Sequence, residues 1–176
     1  MAHSTPDPLS FPMFTHLRHK PPTPLERPRE LVVACAPLRS NVNVSHILRT
    51  AGCCGVTRVI CCGHAKAIDK IARDGADAVQ LEVHRTLPPV LKELKQEGYV
   101  LIGLEQTTNS TDLHAFAFPR KAALVVGNER LGLTEEELKW LDHVVEIPIY
   151  GLPFAYNVAT ATAMALYEYC RQWPKG

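Results

Sequence analysis

Three short stretches of the chain bring together residue types able to bind an anion, orient a polar group or expose backbone N–H groups. The first, SNVNVSHILRTAGCCGV, carries Asn41, Asn43 and Arg49. An asparagine before a helical run is a natural N-cap, and Asn43 is expected to cap a helix over Val44–Cys54. Arg49 follows six residues later, on a different face at about 100° per residue. It sits among Ile47, Leu48 and Ala51, where a guanidinium must find a partner or face a cleft.

The second stretch, AALVVGNERLGLTEEEL, runs an apolar strand into Gly127-Asn128-Glu129-Arg130-Leu131-Gly132. Gly127 would let a ligand approach the backbone and Gly132 would permit a turn. Glu129 has two readings, polar work at a strand's carboxyl end or a salt bridge to Arg130. Thr134 followed by Glu137 has the spacing of a capping box. The third stretch, VEIPIYGLPFAYNVATATAMALYEYCRQ, passes from a strand through a Pro/Gly loop to Asn157, an expected N-cap, and a helix rich in alanine. Those alanines allow close approach, either by the domain's own core or by a second subunit.

The elements that must position these residues alternate. Buried-strand runs read LVVACA, RVICC, VQLEV, YVLIGL, AALVVG and HVVEIP, and helical patterns fall over Val44–Cys54, Thr86–Glu97, Glu135–Leu141 and Val158–Arg171. This predicts an α/β fold, a doubly wound and mainly parallel sheet, in which ligands bind at the carboxyl ends of strands. The loops after Ala36, Leu104, Gly127 and Pro148 are therefore where a site belongs. Neither G-x-G-x-x-G nor G-x-x-x-x-G-K-[ST] occurs, so dinucleotide and P-loop chemistry lose their main support.

Composition narrows the classes further. The 176 residues are 46% hydrophobic and 21% charged, one ordinary globular domain able to bury about 70% of its unfolded surface. With 19 Lys+Arg against 18 Asp+Glu the net charge is +1, so any nucleic-acid contact must come from a local patch or from dimerisation. Seven of the 14 prolines lie within residues 1–28, which read as an extended proline-rich arm preceding a domain over residues 29–176. The arm holds Arg18 and Lys20, a small basic cluster able to meet phosphate or simply to be solvated. No apolar run approaches the roughly 20 residues of a membrane span, no secretory layout opens the chain, and a cytoplasmic location without membrane attachment is expected. Cys35, Cys53, Cys54, Cys61, Cys62 and Cys170 lack C-x-x-C spacing and read as reduced core residues, and no metal site is expected.

Taken in order and spacing, Asn43-Val-Ser-His-Ile-Leu-Arg49-Thr-Ala, Gly127-Asn-Glu129 with Gly132-Leu-Thr, and Ile147-Pro to Asn157-Val-Ala with Leu166-Tyr-Glu168 resemble the three motifs of the SpoU (TrmH-like) RNA methyltransferases of the SPOUT superfamily. The resemblance covers Leu31 to the C-terminus. It implies an α/β sheet whose C-terminal segment threads a trefoil knot, an exception to unknotted topology. It also implies methyl transfer from S-adenosylmethionine to a ribose 2′-hydroxyl of tRNA or rRNA by a homodimer. By matching position the cofactor loops would be Leu104, Gly127, Ile147 and Ala155-Tyr156-Asn157, and the catalytic set Arg49, Asn43, Glu129 and Asn157. Arg49 would also meet RNA, reaching from one protomer toward the site of the other, with Arg18 and Lys20 as further RNA contacts. The family reading of this arginine as a base conflicts with a guanidinium's permanent charge, which suits phosphate binding and alkoxide stabilisation instead. Asn43 and Glu129 would orient Arg49 and the knot loops. One departure stands out: Ala155-Tyr156-Asn157 replaces the usual Ser-Leu-Asn, removing a hydroxyl and adding a ring. A catalytically silent RNA-binding module on the same fold, and a base methyltransferase, are the alternatives that this departure and the superfamily leave open.

Overall fold

The computed structural model describes residues 14–176. The first part of the proline-rich arm, residues 1–13, lies outside them. The elements follow as β1 (Leu31–Cys35), α1 (Asn41–Cys53), β2 (Arg58–Cys62), α2 (Asp69–Ala72), α3 (Gly75–Ala78), β3 (Gln80–His84), α4 (Leu87–Gln96), β4 (Val100–Leu104), β5 (Thr111–Asp112), β6 (Ala122–Val126), α5 (Glu135–Leu138), β7 (His143–Glu146) and α6 (Val158–Gln172). The strands form one seven-stranded sheet in the order β3-β2-β1-β6-β4-β7-β5, every neighbouring pair parallel.

Alternation along the central strands assigns each residue to one of two cores. Val33 and Cys35 of β1 and Leu124 and Val126 of β6 face α1 and α6, meeting Val44, Ile47, Leu48, Leu166 and Tyr169. Val32 and Ala34, with Ala123 and Val125, face α4, meeting Leu87, Val90, Leu91 and Leu94. β1 and β6 are buried on both faces, which is why they read as unbroken apolar runs, and the expected doubly wound parallel sheet is what forms.

The differences from expectation have local causes. Helix α1 begins at Asn41 because Ser40 caps it, its side chain accepting from Asn43 N, so Asn43 lies inside the first turn and is not the cap. The predicted stretch over Glu135–Leu141 is α-helical only to Leu138 and then tightens into i to i+3 bonds ending at Leu141. The capping box at Thr134 forms as expected. The two-residue β5 is polar and exposed, and α2 and α3 have four residues each, too short to show a period. Cys35, Cys61 and Cys62 are core residues, Cys54 and Cys170 are half-buried, and Cys53 at the end of α1 is exposed, contrary to the core reading. Among the described residues no helix is long and apolar enough to cross a membrane.

Residues 14–30 form neither helix nor strand, and their last part is fixed to the C-terminus. Arg29 donates to the carbonyls of Cys54 and Trp173, both at 2.6 Å, and Glu26 N donates to Lys175 O at 2.9 Å. Arg120 pairs with Glu30 and donates to Pro28 O. Nearby on α6, Glu168 is 6% exposed and accepts from Arg171 and Gln172 at 2.7–2.9 Å. The Arg171 guanidinium pulls its carboxyl down to about 2 against the opposing effect of burial, with help from Gln172 and His114. A carboxyl held below its unfolded value of about 4.3 stabilises the fold above that pH and loses the contribution as pH falls toward about 2. Glu168→Gln is expected to flatten this acid limb, its urea midpoint changing less than that of the parent chain between pH 5 and pH 2.5.

Candidate functional site

Glu129 leaves the carboxyl end of β6 and turns back toward the loop between β1 and α1. Its carboxylate accepts the backbone N–H groups of Arg39 at 2.8 Å and Ser40 at 3.0 Å, and the side-chain amide of Asn43 at 3.0 Å. Burial pushes this carboxyl up, but the donors from Arg39, Asn43 and Ser40 together outweigh it, and the net direction is down. The sequence reading of a Glu129–Arg130 salt bridge is corrected, since every protein partner of the carboxylate is an N–H group. Arg130 instead gives its backbone N–H to Asn128 Oδ1 at 2.9 Å.

The network continues through Asn43. Its carbonyl oxygen accepts from Asn157 Nδ2 at 3.2 Å, and Asn157 Oδ1 caps α6 by accepting from Ala159 N at 2.9 Å and Thr160 N at 3.4 Å. Side chains of Asn43, Glu129 and Asn157 thus join three segments, Asn43 lying 86 and 114 residues from its two partners. Asn128 adds a fourth tie, donating from Nδ2 to Pro37 O at 2.6 Å.

Beside this network the carboxyl ends of β4, β6 and β7 open into a cleft of about 470 Å³, within the usual range for small ligands. Of the residues expected to hold a cofactor, Leu104, Gly127, Ile147, Ala155 and Tyr156 all line it, and Glu129 borders it too. Asn157 stands outside this wall, in its capping position. Gly127 meets a further constraint: a Cβ there would run into the backbone of Gly132 and Leu133, so the glycine lets the loop close on itself. Gly132 does make the turn, at φ +65°, and pairs with Asn128 across the loop.

Sequence reasoning missed Glu105. Its carboxylate accepts from Leu133 N at 2.9 Å and Gln106 N at 3.0 Å, tying the loop after β4 to the loop after β6. A glutamate immediately after an apolar strand was the available signal. Charged residues lining the cleft are Glu105, Glu129, Glu146 and Arg130, an acidic excess.

Arg49 is not brought into this assembly. It is exposed on α1, lines no part of the cleft and has no ion-pair partner among the described residues, so within one chain Asn43 and Glu129 do not orient it. The apolar surround inferred for it belongs to the buried faces of Ile47, Leu48 and Ala51, which point the other way. Arg18 and Lys20 are likewise exposed.

Sheet order and cleft define a member of the doubly wound α/β class with its cleft at the strand ends. Residues 30–167 match the SpoU rRNA Methylase family, and the chain belongs to that family. It is 30% identical over 149 residues to the tRNA (guanosine(18)-2′-O)-methyltransferase of Escherichia coli (strain K12), covering 83% of this chain and 65% of that one. The crystal structure of the A. aeolicus TrmH/SpoU tRNA modifying enzyme superposes with a TM-score of 0.79 at 27% identity, over 86% of this chain and 79% of that one. The SpoU methyltransferase AviRb of Streptomyces viridochromogenes, solved in complex with the cofactor AdoMet, gives 0.72 at 25% identity over 87% and 64%. The chain spans 5% and 65% of the length of the first curated relatives it matches.

The amide orientation at Asn43 has a direct test. Asn43→Asp keeps the acceptor for Asn157 but sets a carboxylate against Glu129. The expected loss is about 2–3 kcal/mol at pH 7, narrowing below about pH 5 as one carboxyl of the pair takes a proton. Urea denaturation at pH 7 and pH 4.5 reads both.

Proposed function

We propose that this chain is a homodimeric S-adenosylmethionine-dependent methyltransferase acting on a ribose 2′-hydroxyl of tRNA or rRNA, with the family's trefoil knot formed by its C-terminal part. The observation that carries the reading is the Glu129–Asn43–Asn157 network, which joins all three motif segments beside the cleft at the strand ends. When bound, S-adenosylmethionine supplies an activated methyl group on a positively charged sulfur. The cleft suits that group: its volume is adequate, Leu104, Ile147 and Ala155 give apolar walls, and Glu105, Glu129 and Glu146 outnumber Arg130. Ala155 offers its backbone and a methyl group where the family has serine, so holding the cofactor does not depend on that hydroxyl.

Each residue then has a defined task. Glu129 fixes the β1–α1 loop through its two backbone bonds and holds the Asn43 amide. Asn157 fixes the start of α6 and the loop that ends at Tyr156. Arg49 grips the target phosphate and stabilises the alkoxide that forms as the 2′-hydroxyl gives its proton to water. Orientation of hydroxyl and methyl donor carries much of the acceleration.

Arg49 can do this only from a second protomer, because its own chain keeps it away from the cleft. The exposed side of α6 supports such pairing: Tyr167 is 72% exposed and Met164 36% exposed, next to the small residue Ala163. A dimer also doubles each local basic patch, including Arg18 and Lys20, which offsets a net charge of only +1.

Calorimetric titration with S-adenosylmethionine, with mass by light scattering, is expected to show saturable binding to a dimer. Transfer of labelled methyl groups to unmodified tRNA and rRNA, followed by digestion and nucleoside mass spectrometry, should return a 2′-O-methylated nucleoside. A methylated base would point to the alternative chemistry, and a folded dimer that binds no cofactor to a silent module. Arg49→Ala is expected to lower the transfer rate by about 100-fold or more while cofactor affinity stays within about twofold. Removing residues 1–20, which spares the contacts of Glu26 and Arg29, is expected to weaken RNA binding and leave cofactor binding intact.

A further inference from the structure

A second cavity, of about 400 Å³, lies against the first. Ile149, Ala155 and Tyr156 line both, so the two cavities adjoin. The remaining lining includes Tyr150, Leu152, Pro153 and Thr160, and no residue of the lining carries a charge. This contrasts with the first cavity, where four lining residues are charged.

The chemistry of this lining selects its occupant. Two aromatic rings, Tyr150 and Tyr156, offer flat apolar faces, and Leu152 and Pro153 add aliphatic surface. The two phenol hydroxyls and the Thr160 hydroxyl have no hydrogen-bond partner among the described residues, and Asn157, which also lines this cavity, accepts the backbone N–H of Thr160. A phosphate or a sulfonium finds no countercharge here. A neutral, planar, aromatic ring with donors and acceptors along its edge finds both stacking surfaces and hydrogen-bond partners.

We propose that the Tyr150–Thr160 cavity receives the unstacked nucleobase of the target nucleotide, so that the ribose attached to it lies at the Ala155–Tyr156 wall facing the methyl donor. The inference rests on the methyltransferase reading and adds where the base sits and which side chains read it. Enzymes that work on one nucleotide commonly swing it out of its stack and hold the base between aromatic and apolar side chains. The ring at position 156, where the family usually has leucine, then has a use: it lines both cavities and stacks on the base.

Short single-stranded RNA oligomers carrying 2-aminopurine, whose fluorescence is quenched on stacking, test the site in the presence of saturating S-adenosylhomocysteine. The parent chain is expected to quench the probe. Tyr150→Ala is expected to weaken probe binding by about 5- to 100-fold, the loss of one base–aromatic stack, and Tyr150→Phe to restore most of it. Tyr150 is 94% exposed, so neither variant endangers the fold. Calorimetry should give all three proteins the same cofactor affinity, and light scattering the same mass. Absence of quenching by the parent chain, or unchanged probe binding by Tyr150→Ala, overturns the base site while cofactor binding leaves the methyltransferase reading standing. A change of mass in Tyr150→Ala assigns the ring to a subunit contact and overturns it equally. Failure of the parent chain to bind cofactor removes the underlying reading itself.

Discussion

The carboxylate of Glu129 holds the site in register. Three N–H donors converge on it, two from a loop backbone and one from a side chain that is itself tied to the start of α6. A half-buried carboxylate without those donors would be costly, and the loop amides without the carboxylate would lose the acceptor they have among the described residues. Each part therefore depends on the other. The sheet supplies the frame by delivering β1 and β6 side by side, in register from Leu31 opposite Ala122 to Cys35 opposite Val126. Their carboxyl ends, and the loops that follow, must then meet.

How much of this the sequence could reveal depends on whether a feature is local. Strands buried on both faces announce themselves as apolar runs, and β1, β4 and β6 were legible for that reason. Asn157 is read correctly as a cap because capping involves only the residues that follow it. Asn43 is not, because Ser40 competes for the same task three residues earlier, and its real partners, Glu129 and Asn157, lie 86 and 114 residues away. The resemblance of motifs named five residues that line the cleft, Leu104, Gly127, Ile147, Ala155 and Tyr156, and one, Asn157, that does not. It could not show that Gly127 serves loop closure or that Glu105 locks the neighbouring loop, since both depend on how loops from two strands pack.

Arg49 illustrates a different limit. The sequence presents it as an arginine among apolar residues, and the helix places those neighbours on one face and the guanidinium on the other. One chain thus assembles a cleft and leaves this cation outside it. In the proposed dimer the partner would supply that cation, and association becomes a condition of activity rather than an aid to stability.

The segment Glu26–Glu30 enters the fold beside Trp173–Gly176, where the chain leaves it, with Arg29 and Arg120 bonded to both regions or to residues between them. Entry and exit at one place give the domain the geometry of a cassette. A host chain could receive it within a surface loop at little cost in loop closure, because the two junctions are already neighbours. The same adjacency means that a linker joining Glu26 to Lys175 would need only a few residues.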